Sequence, residues 1–217
     1  MSKLNKSIVL ILIVLLIDQV LKIWIKTNMY LGQEFDIFGN WFIIHFTENP
    51  GMAFGVELGG DYGKMALSIF RIIASFAIGY YIYFLTKKKA PLGLILSVSL
   101  IFAGAFGNII DSVFYGLIFT ESYHDVAKMF PEGGGYASFL HGKVVDMFYF
   151  PIIRGHIPDW FPFWKNEAFI FFRPVFNVAD SAITMGVSLI IIFQKRFFIH
   201  EENADEQEAE VVHAESD

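Results

Sequence analysis

Cysteine is absent from the 217 residues, which removes disulfides, thiolate metal ligands and a cysteine nucleophile together. Charge is scarce as well: 18% of residues are charged against 55% hydrophobic and 18% aromatic, too apolar a balance for a domain whose surface faces water. The bilayer is therefore the expected solvent. Lys and Arg are missing altogether from Thr27 to Gly63, and no Asp, Glu, Lys, Arg or His occurs in Ile8–Ile17, Ile72–Leu85, Leu92–Gly107 or Ala182–Phe193. Neither a His-Glu-x-x-His zinc motif nor a Gly-x-Ser-x-Gly serine motif is present. Leu58-Gly59-Gly60-Asp61 only approaches the Gly-x-Gly-Asp of one class of intramembrane aspartyl enzymes. The six histidines, at 45, 124, 141, 156, 200 and 213, lack ligand spacing, so no metal and no cofactor are expected.

What is present is a set of four apolar runs. Residues 8–25, 65–85, 92–110 and 175–193 each approach the ~20 residues a helix needs to cross a hydrocarbon core, and their unbroken apolarity argues for helices over a barrel. Lys3 and Lys6 precede the first run in the manner of a secretory signal. The run continues through Ile25 with no small-residue cleavage site, so a retained anchor is expected. Lys87, Lys88 and Lys89 fill the turn between the second and third runs, and Lys195 and Arg196 follow the fourth. The positive-inside rule then predicts four transmembrane helices with both termini cytoplasmic, and outer loops at 27–64 and 111–174.

In the first outer loop, Gly39-Asn40 separates stretches rich in aromatic and β-branched residues, which predicts a short hairpin at the membrane surface. The second loop, over Phe148–Phe176, mixes Phe, Trp, Tyr and Pro with few charges and suits the headgroup interface. The fold class expected is thus membrane all-α with a small β element, one domain over 1–199. Residues 200–217 hold eight Asp or Glu and no Lys or Arg, which leaves the rest of the chain at net +2 against −6 for the whole. Such a segment, poor in large apolar groups, is expected to be a disordered acidic tail.

Polar residues interrupt the runs near one end only. Asp18, Gln19 and Lys22 lie in the first, Asn108 and Asp111 end the third, and Asn177 and Asp180 stand at the start of the fourth. Asp18 is seven residues before Ile25, about 10 Å along a helix, so all can share one layer at the outer side. The pairs 18/22, 108/111 and 177/180 fall at i, i+3 or i, i+4 and each shares a helix face. Helix packing alone accounts for Asp18 with Lys22 as an ion pair, or for Asn108 bonding Asn177. Several carboxylates at one depth are another matter: each costs several kcal/mol unless paired or hydrated, and the layer reads as a functional site. Arg71 in the second run is expected to snorkel or to pair with this layer, without a catalytic role.

In chain order the motifs are Asp18-Gln19-Val20-Leu21-Lys22, Asn49-Pro50-Gly51-Met52-Ala53-Phe54-Gly55, Gly107-Asn108-Ile109-Ile110-Asp111, Val144-Val145-Asp146-Met147-Phe148 and Phe176-Asn177-Val178-Ala179-Asp180-Ser181. Taken as an ordered set they resemble bacterial lipoprotein signal peptidase, the type II signal peptidase, from the first run to the fourth. The resemblance implies that Asp146 and Asp180 are the catalytic pair and that Asp18, Asn49, Asn108, Asp111 and Asn177 support or shape the site. Lys22 joins them through its place in the layer. The family also implies a small β-sheet cradle over the substrate, a diacylglyceryl-modified prolipoprotein cut just before its lipidated cysteine, and a site at the outer face of the bacterial cytoplasmic membrane. Membrane lipids are expected partners and nucleic acid is not; the chain is expected to be a monomer.

The chemistry of the residues agrees. Amide hydrolysis needs one group to activate water and another to protonate the leaving nitrogen. Two close carboxylates do both, because repulsion makes them share one proton and titrate as a unit. Asp146 is expected on a loop and Asp180 at a helix start, with Asn177 one turn earlier to orient it. Two departures from the family stand out: Ser112 follows Asp111 where an Arg is usual, and the 35- and 34-residue gaps around Asp146 are long. The extra length, with Gly133-Gly134-Gly135, reads as an external elaboration. A proton-coupled transporter or channel with an outward-facing carboxylate site is the competing class. The dry inner halves of the runs argue against it, since such a protein needs a polar path through the full thickness. A membrane scaffold without catalysis is the third reading.

Overall fold

The computed structural model describes residues 1–50, 60–156 and 168–214. Gly51–Gly55 of the second motif, Leu58-Gly59 and the central part of the aromatic stretch lie outside the described residues. Helix α1 (Lys3–Asn28) leads to strands β1 (Glu34–Phe38) and β2 (Phe42–Asn49), then to helices α2 (Gly60–Lys87) and α3 (Leu92–Ile110). A π-helical turn at Asp111–Tyr115 and a single turn, α4 (Gly116–Ile118), continue α3. Strands β3 (Val144–Tyr149), β4 (Ile153–His156), β5 (Ala168–Phe171) and β6 (Val175–Phe176) precede helix α5 (Val178–Ala214).

Among the described residues four helices are long and apolar enough to cross a membrane: α1, Met65–Lys87 of α2, Leu92–Ile118, and Val178–Phe197 of α5. Three expected spans fall within them. The fourth starts later than expected, because Val175 and Phe176 pair with Tyr149 and Phe148 as β6 and the helix begins only after Asn177. Hydropathy is blind to that difference, since apolar residues serve a helix or a strand equally well. The span containing α3 buries 56% of its apolar window against 17% for each of the others, so α3 is enclosed by protein. The other helices turn residues such as Leu16, Phe76 and Ile192 outward, as lipid-facing surfaces do. Beyond Phe197 the backbone stays helical to Ala214, where composition predicted a disordered tail. Ala, Glu and Gln are strong helix formers, and neither Gly nor Pro interrupts 198–214.

The chain divides into two compact units, one of Met1–Asp18, Ile69–Ile109 and Val178–Asp217, the other of Gln19–Ser68 and Ile110–Asn177. In the first, Ile82, Leu85, Leu94, Ile95, Val98 and Phe197 form a buried cluster. Its helices meet through small residues. A Cβ added at Gly104 would lie 2.2 Å from the Ala179 carbonyl oxygen, and one at Gly107 2.8 Å from Asp18 Oδ2. Backbone contact of this kind is how helices associate where no hydrophobic drive separates them from lipid. Gly104→Ala is therefore expected to force α3 and α5 apart and to cost about 1–3 kcal/mol, measurable as a lowered thermal midpoint in detergent.

The second unit holds the β structure. The hairpin expected around Gly39-Asn40 is present: β1 and β2 are antiparallel, Phe38 faces Phe42, and Gly39 takes φ +53°, a conformation that favours glycine. The sheet, however, is larger than a hairpin. Its order is β1-β2-β3-β6, so residues from three distant parts of the sequence join, and β4 and β5 form a separate antiparallel pair. Phe46, Val145 and Met147 of this sheet pack on Ile25 and Met29 of α1 and on Tyr115 and Phe119.

Candidate active site

Asp146 sits on β3, not on a loop as expected. Antiparallel pairing sets Thr47 opposite Asp146, Glu48 opposite Val145 and Asn49 opposite Val144. The Asp146 carboxylate is buried and accepts a 2.7 Å hydrogen bond at Oδ1 from Asn177 Nδ2, which also donates to the Val145 carbonyl at 3.2 Å. One amide thus fixes both the backbone and the side chain of the strand that presents the acid. Asp111, at the start of the π-helical turn, completes the other side of Val145 by accepting its N–H at 3.2 Å. β6 pairs only with Phe148 and Tyr149, so at Val145 these two side chains stand where a neighbouring strand would otherwise be.

Asp111 is itself held tightly. Lys22 Nζ lies 2.9 Å from its Oδ2, both side chains fully buried, and Gln19 Nε2 donates to Oδ1 at 3.0 Å. Tyr115 closes the chain with its hydroxyl 3.1 Å from Gln19 Oε1. Lys22, expected to share a helix face with Asp18, makes an ion pair with Asp111. A π turn widens the backbone locally and is frequent at functional sites; here it carries Asp111 and Tyr115.

In the first unit, Asp180 Oδ1 accepts a 2.8 Å hydrogen bond from Asn108 Nδ2. Asp18, reaching from α1, accepts the Ala179 N–H at 2.9 Å. That N–H is one of the unpaired donors at a helix N-terminus, and a carboxylate there satisfies it and complements the positive end of the helix dipole. Asp180 is the next residue, so α1 and α3 together fix where it stands. Arg71 of α2 is near enough to Asp180 for their charges to interact.

Every sequence-predicted residue is therefore engaged in hydrogen bonding, ion pairing or strand pairing, and each aspartate of the expected pair is served by an asparagine. Asn177 was expected to orient Asp180; its described bonds go to Asp146 and Val145, and Asn108 serves Asp180. An i, i+3 spacing fixes which face a side chain occupies and not which partner another helix or strand brings to it.

A second cluster escaped the sequence reading. Lys26, fully buried, pairs with Glu48 and donates to Ser122 Oγ at 2.9 Å. Lys143 reaches Glu48 at 3.3 Å and Glu121 at 3.2 Å, and its N–H donates to the Tyr136 hydroxyl at 2.7 Å. Burial opposes the charge of Lys143, but Glu48 and then Glu121 outweigh it and lift its pKa above the usual lysine value; burial likewise pushes the Tyr136 phenol up. The long second loop is in this way fastened to β2 next to Asn49. The one signal available in the sequence was Glu48 itself, the single acid in β2. Among the described residues no three or more His, Asp or Glu side chains are grouped to hold a metal ion.

Comparison with known proteins settles the family. Residues 10–196 match the model described as signal peptidase (SPase) II. The chain belongs to the signal peptidase II family. It is a peptidase and, with its four spans, an integral membrane protein. Among relatives, the lipoprotein signal peptidase of Porphyromonas gingivalis is 52% identical over 191 residues, covering 86% of this chain and 81% of that one. The lipoprotein signal peptidase of Amoebophilus asiaticus is 42% identical over 184 residues, covering 83% and 74%. A solved structure described as a bacterial membrane enzyme superposes with a TM-score of 0.57 at 31% identity, covering 87% of this chain and 91% of that one. The matched range contains every motif that carried the resemblance, from Asp18 to Ser181.

Proposed function

We propose that the chain is an aspartate endopeptidase that removes signal peptides from diacylglyceryl-modified prolipoproteins, cutting just before the lipidated cysteine. The observation that carries this is that, in a member of this family, Asp146 and Asp180 are each held by the amide of one asparagine. Asn177, which holds Asp146, stands only three residues ahead of Asp180 in the chain, which favours their acting as a pair. An amide donor locks the rotamer of each acid, so the reacting oxygens need no reorganisation when substrate arrives.

The reaction is written through the two acids and water. The ionised carboxylate takes a proton from water as the water oxygen bonds to the scissile carbonyl carbon, whose C=O π electrons move onto oxygen. The C–N bond then breaks, and the protonated carboxyl gives its proton to the leaving nitrogen. The signal peptide leaves with a new carboxylate and the lipoprotein with a free α-amine on its cysteine. The pair again holds one proton, now on the acid that took it from water, and the new carboxyl of the signal peptide releases its own proton to solvent. Asp18, Lys22, Asn49, Asn108, Asp111 and Asn177 act by positioning.

Lys3, Lys6, Lys87–Lys89, Lys195 and Arg196 support cytoplasmic termini, with the site at the outer face of the cytoplasmic membrane and the sheet as a cradle above the substrate. A signal helix enters sideways from lipid, its acyl-bearing cysteine staying in the hydrocarbon layer. The test is digestion by the purified monomeric protein of two otherwise identical peptides, with and without diacylglycerol on cysteine, chelator present. Cleavage of the lipidated peptide alone, giving a product that begins at cysteine, is expected. Equal cleavage of both would remove lipid recognition, and cleavage of neither would remove the assignment.

A further inference from the structure

At the end of the first unit remote from the aspartates, α5 departs from helical geometry. Phe193 takes φ −102° and ψ 15°, and the helix kinks there as it passes the start of α3. Beside the kink lies a cleft of about 480 Å³, walled chiefly by Pro91, Leu92, Leu96, Leu189 and Phe193, with the exposed Arg196 as the charged residue among its lining. That volume is within the range of small-molecule sites. The Ser97 hydroxyl, also in the wall, is already spent on the Gly93 carbonyl at 2.8 Å, so the lining presents hydrocarbon and one guanidinium. Further basic residues lie close by in the sequence. Lys195 adjoins Arg196 in sequence, and Lys87–Lys89 form the turn before α3, pinned by Lys3 Nζ at 2.8 and 2.6 Å from the Lys89 and Ala90 carbonyls.

From this apolar cleft and its single cation we infer a binding site for an anionic phospholipid, one acyl chain lying along Leu92, Leu96, Leu189 and Phe193 and the phosphate on Arg196. The charge is complementary to a phosphodiester, and a guanidinium offers it two parallel N–H donors, a geometry that lysine lacks. The position also fits: basic pockets between the ends of membrane helices take acidic headgroups, and the bilayer supplies acyl chains at that depth. A soluble anion gains nothing from hydrocarbon walls. A lipid gains from both halves of the site.

The site is independent of the peptidase reading and is tested by native mass spectrometry of the full chain in detergent, titrated with phosphatidylglycerol or phosphatidylcholine of the same chain length. Phosphatidylglycerol is expected to bind about tenfold more tightly, the scale of one charge-assisted hydrogen bond. Arg196→Gln should bring it to the phosphatidylcholine level, Lys195→Gln should leave it within about twofold, and Leu96→Trp, by filling the cleft, should weaken both lipids. Inorganic phosphate should not compete. Equal affinity for the two lipids, equal effects of the two charge variants, or displacement by phosphate would each overturn the proposal. Arg196 is exposed and its variant needs no repacking, so the outcome does not hinge on Leu96→Trp folding; thermal unfolding of each variant confirms its state.

Discussion

Asp146→Asn and Asp180→Asn are each expected to lower cleavage of a diacylglyceryl-cysteine peptide by about 10²–10⁴-fold, the usual worth of one acid–base group. Asparagine keeps the shape and loses the proton chemistry. At 146 its carbonyl can still accept from Asn177 Nδ2, and at 180 from Asn108, so the holding bonds of 2.7 and 2.8 Å survive and the folded protein should melt within a few degrees of wild type. Groups that work as a unit are not additive, so the double variant should be no slower than the worse single one. Turnover near wild type by either single variant would dissolve the pair, and a double variant slower by the product of both effects would mean two independent roles.

The largest structural effect is expected at Lys22. Its replacement by Met leaves the Asp111 carboxylate fully buried without its counter-charge, a change that typically costs about 3–5 kcal/mol. The loss should appear as a steep fall in thermal midpoint and in yield of membrane-inserted protein. Lys22→Met combined with Asp111→Leu removes both charges and should recover most of that stability, because replacing an entire buried pair by apolar groups is often neutral. Activity should not recover, since the Val145 N–H then lacks the acceptor that aligns β3 at Asp146. Parallel recovery of stability and turnover would confine the pair to packing.

The helices were legible because crossing a bilayer leaves a long apolar run that little else imitates, and the β1–β2 hairpin because Gly39-Asn40 marks its turn. β3 and β6 were not. Val144–Tyr149 is a short apolar run around one acid, and its strand character comes from Phe42–Asn49, about a hundred residues earlier, with which it pairs. The polar residue types were visible in the sequence; that Asn177 would donate to Asp146 and Asn108 to Asp180 was not, because partners are chosen by packing that no local spacing encodes. Lys26 escaped for a related reason. A lysine at the end of a membrane helix ordinarily snorkels to water, and only the fold reveals Glu48 and Ser122 waiting for it.

The hold that Asp111 and Asn177 keep on Val145 has a consequence outside catalysis. An uncovered stretch of strand invites annealing with whatever extended polypeptide comes by, including a sister molecule still being synthesised. At Val145 the seal is complete, since the residue and both side chains are fully buried, and Asn177→Leu, which leaves the Val145 carbonyl without that donor, should cost about 1–3 kcal/mol, read as a lowered thermal midpoint.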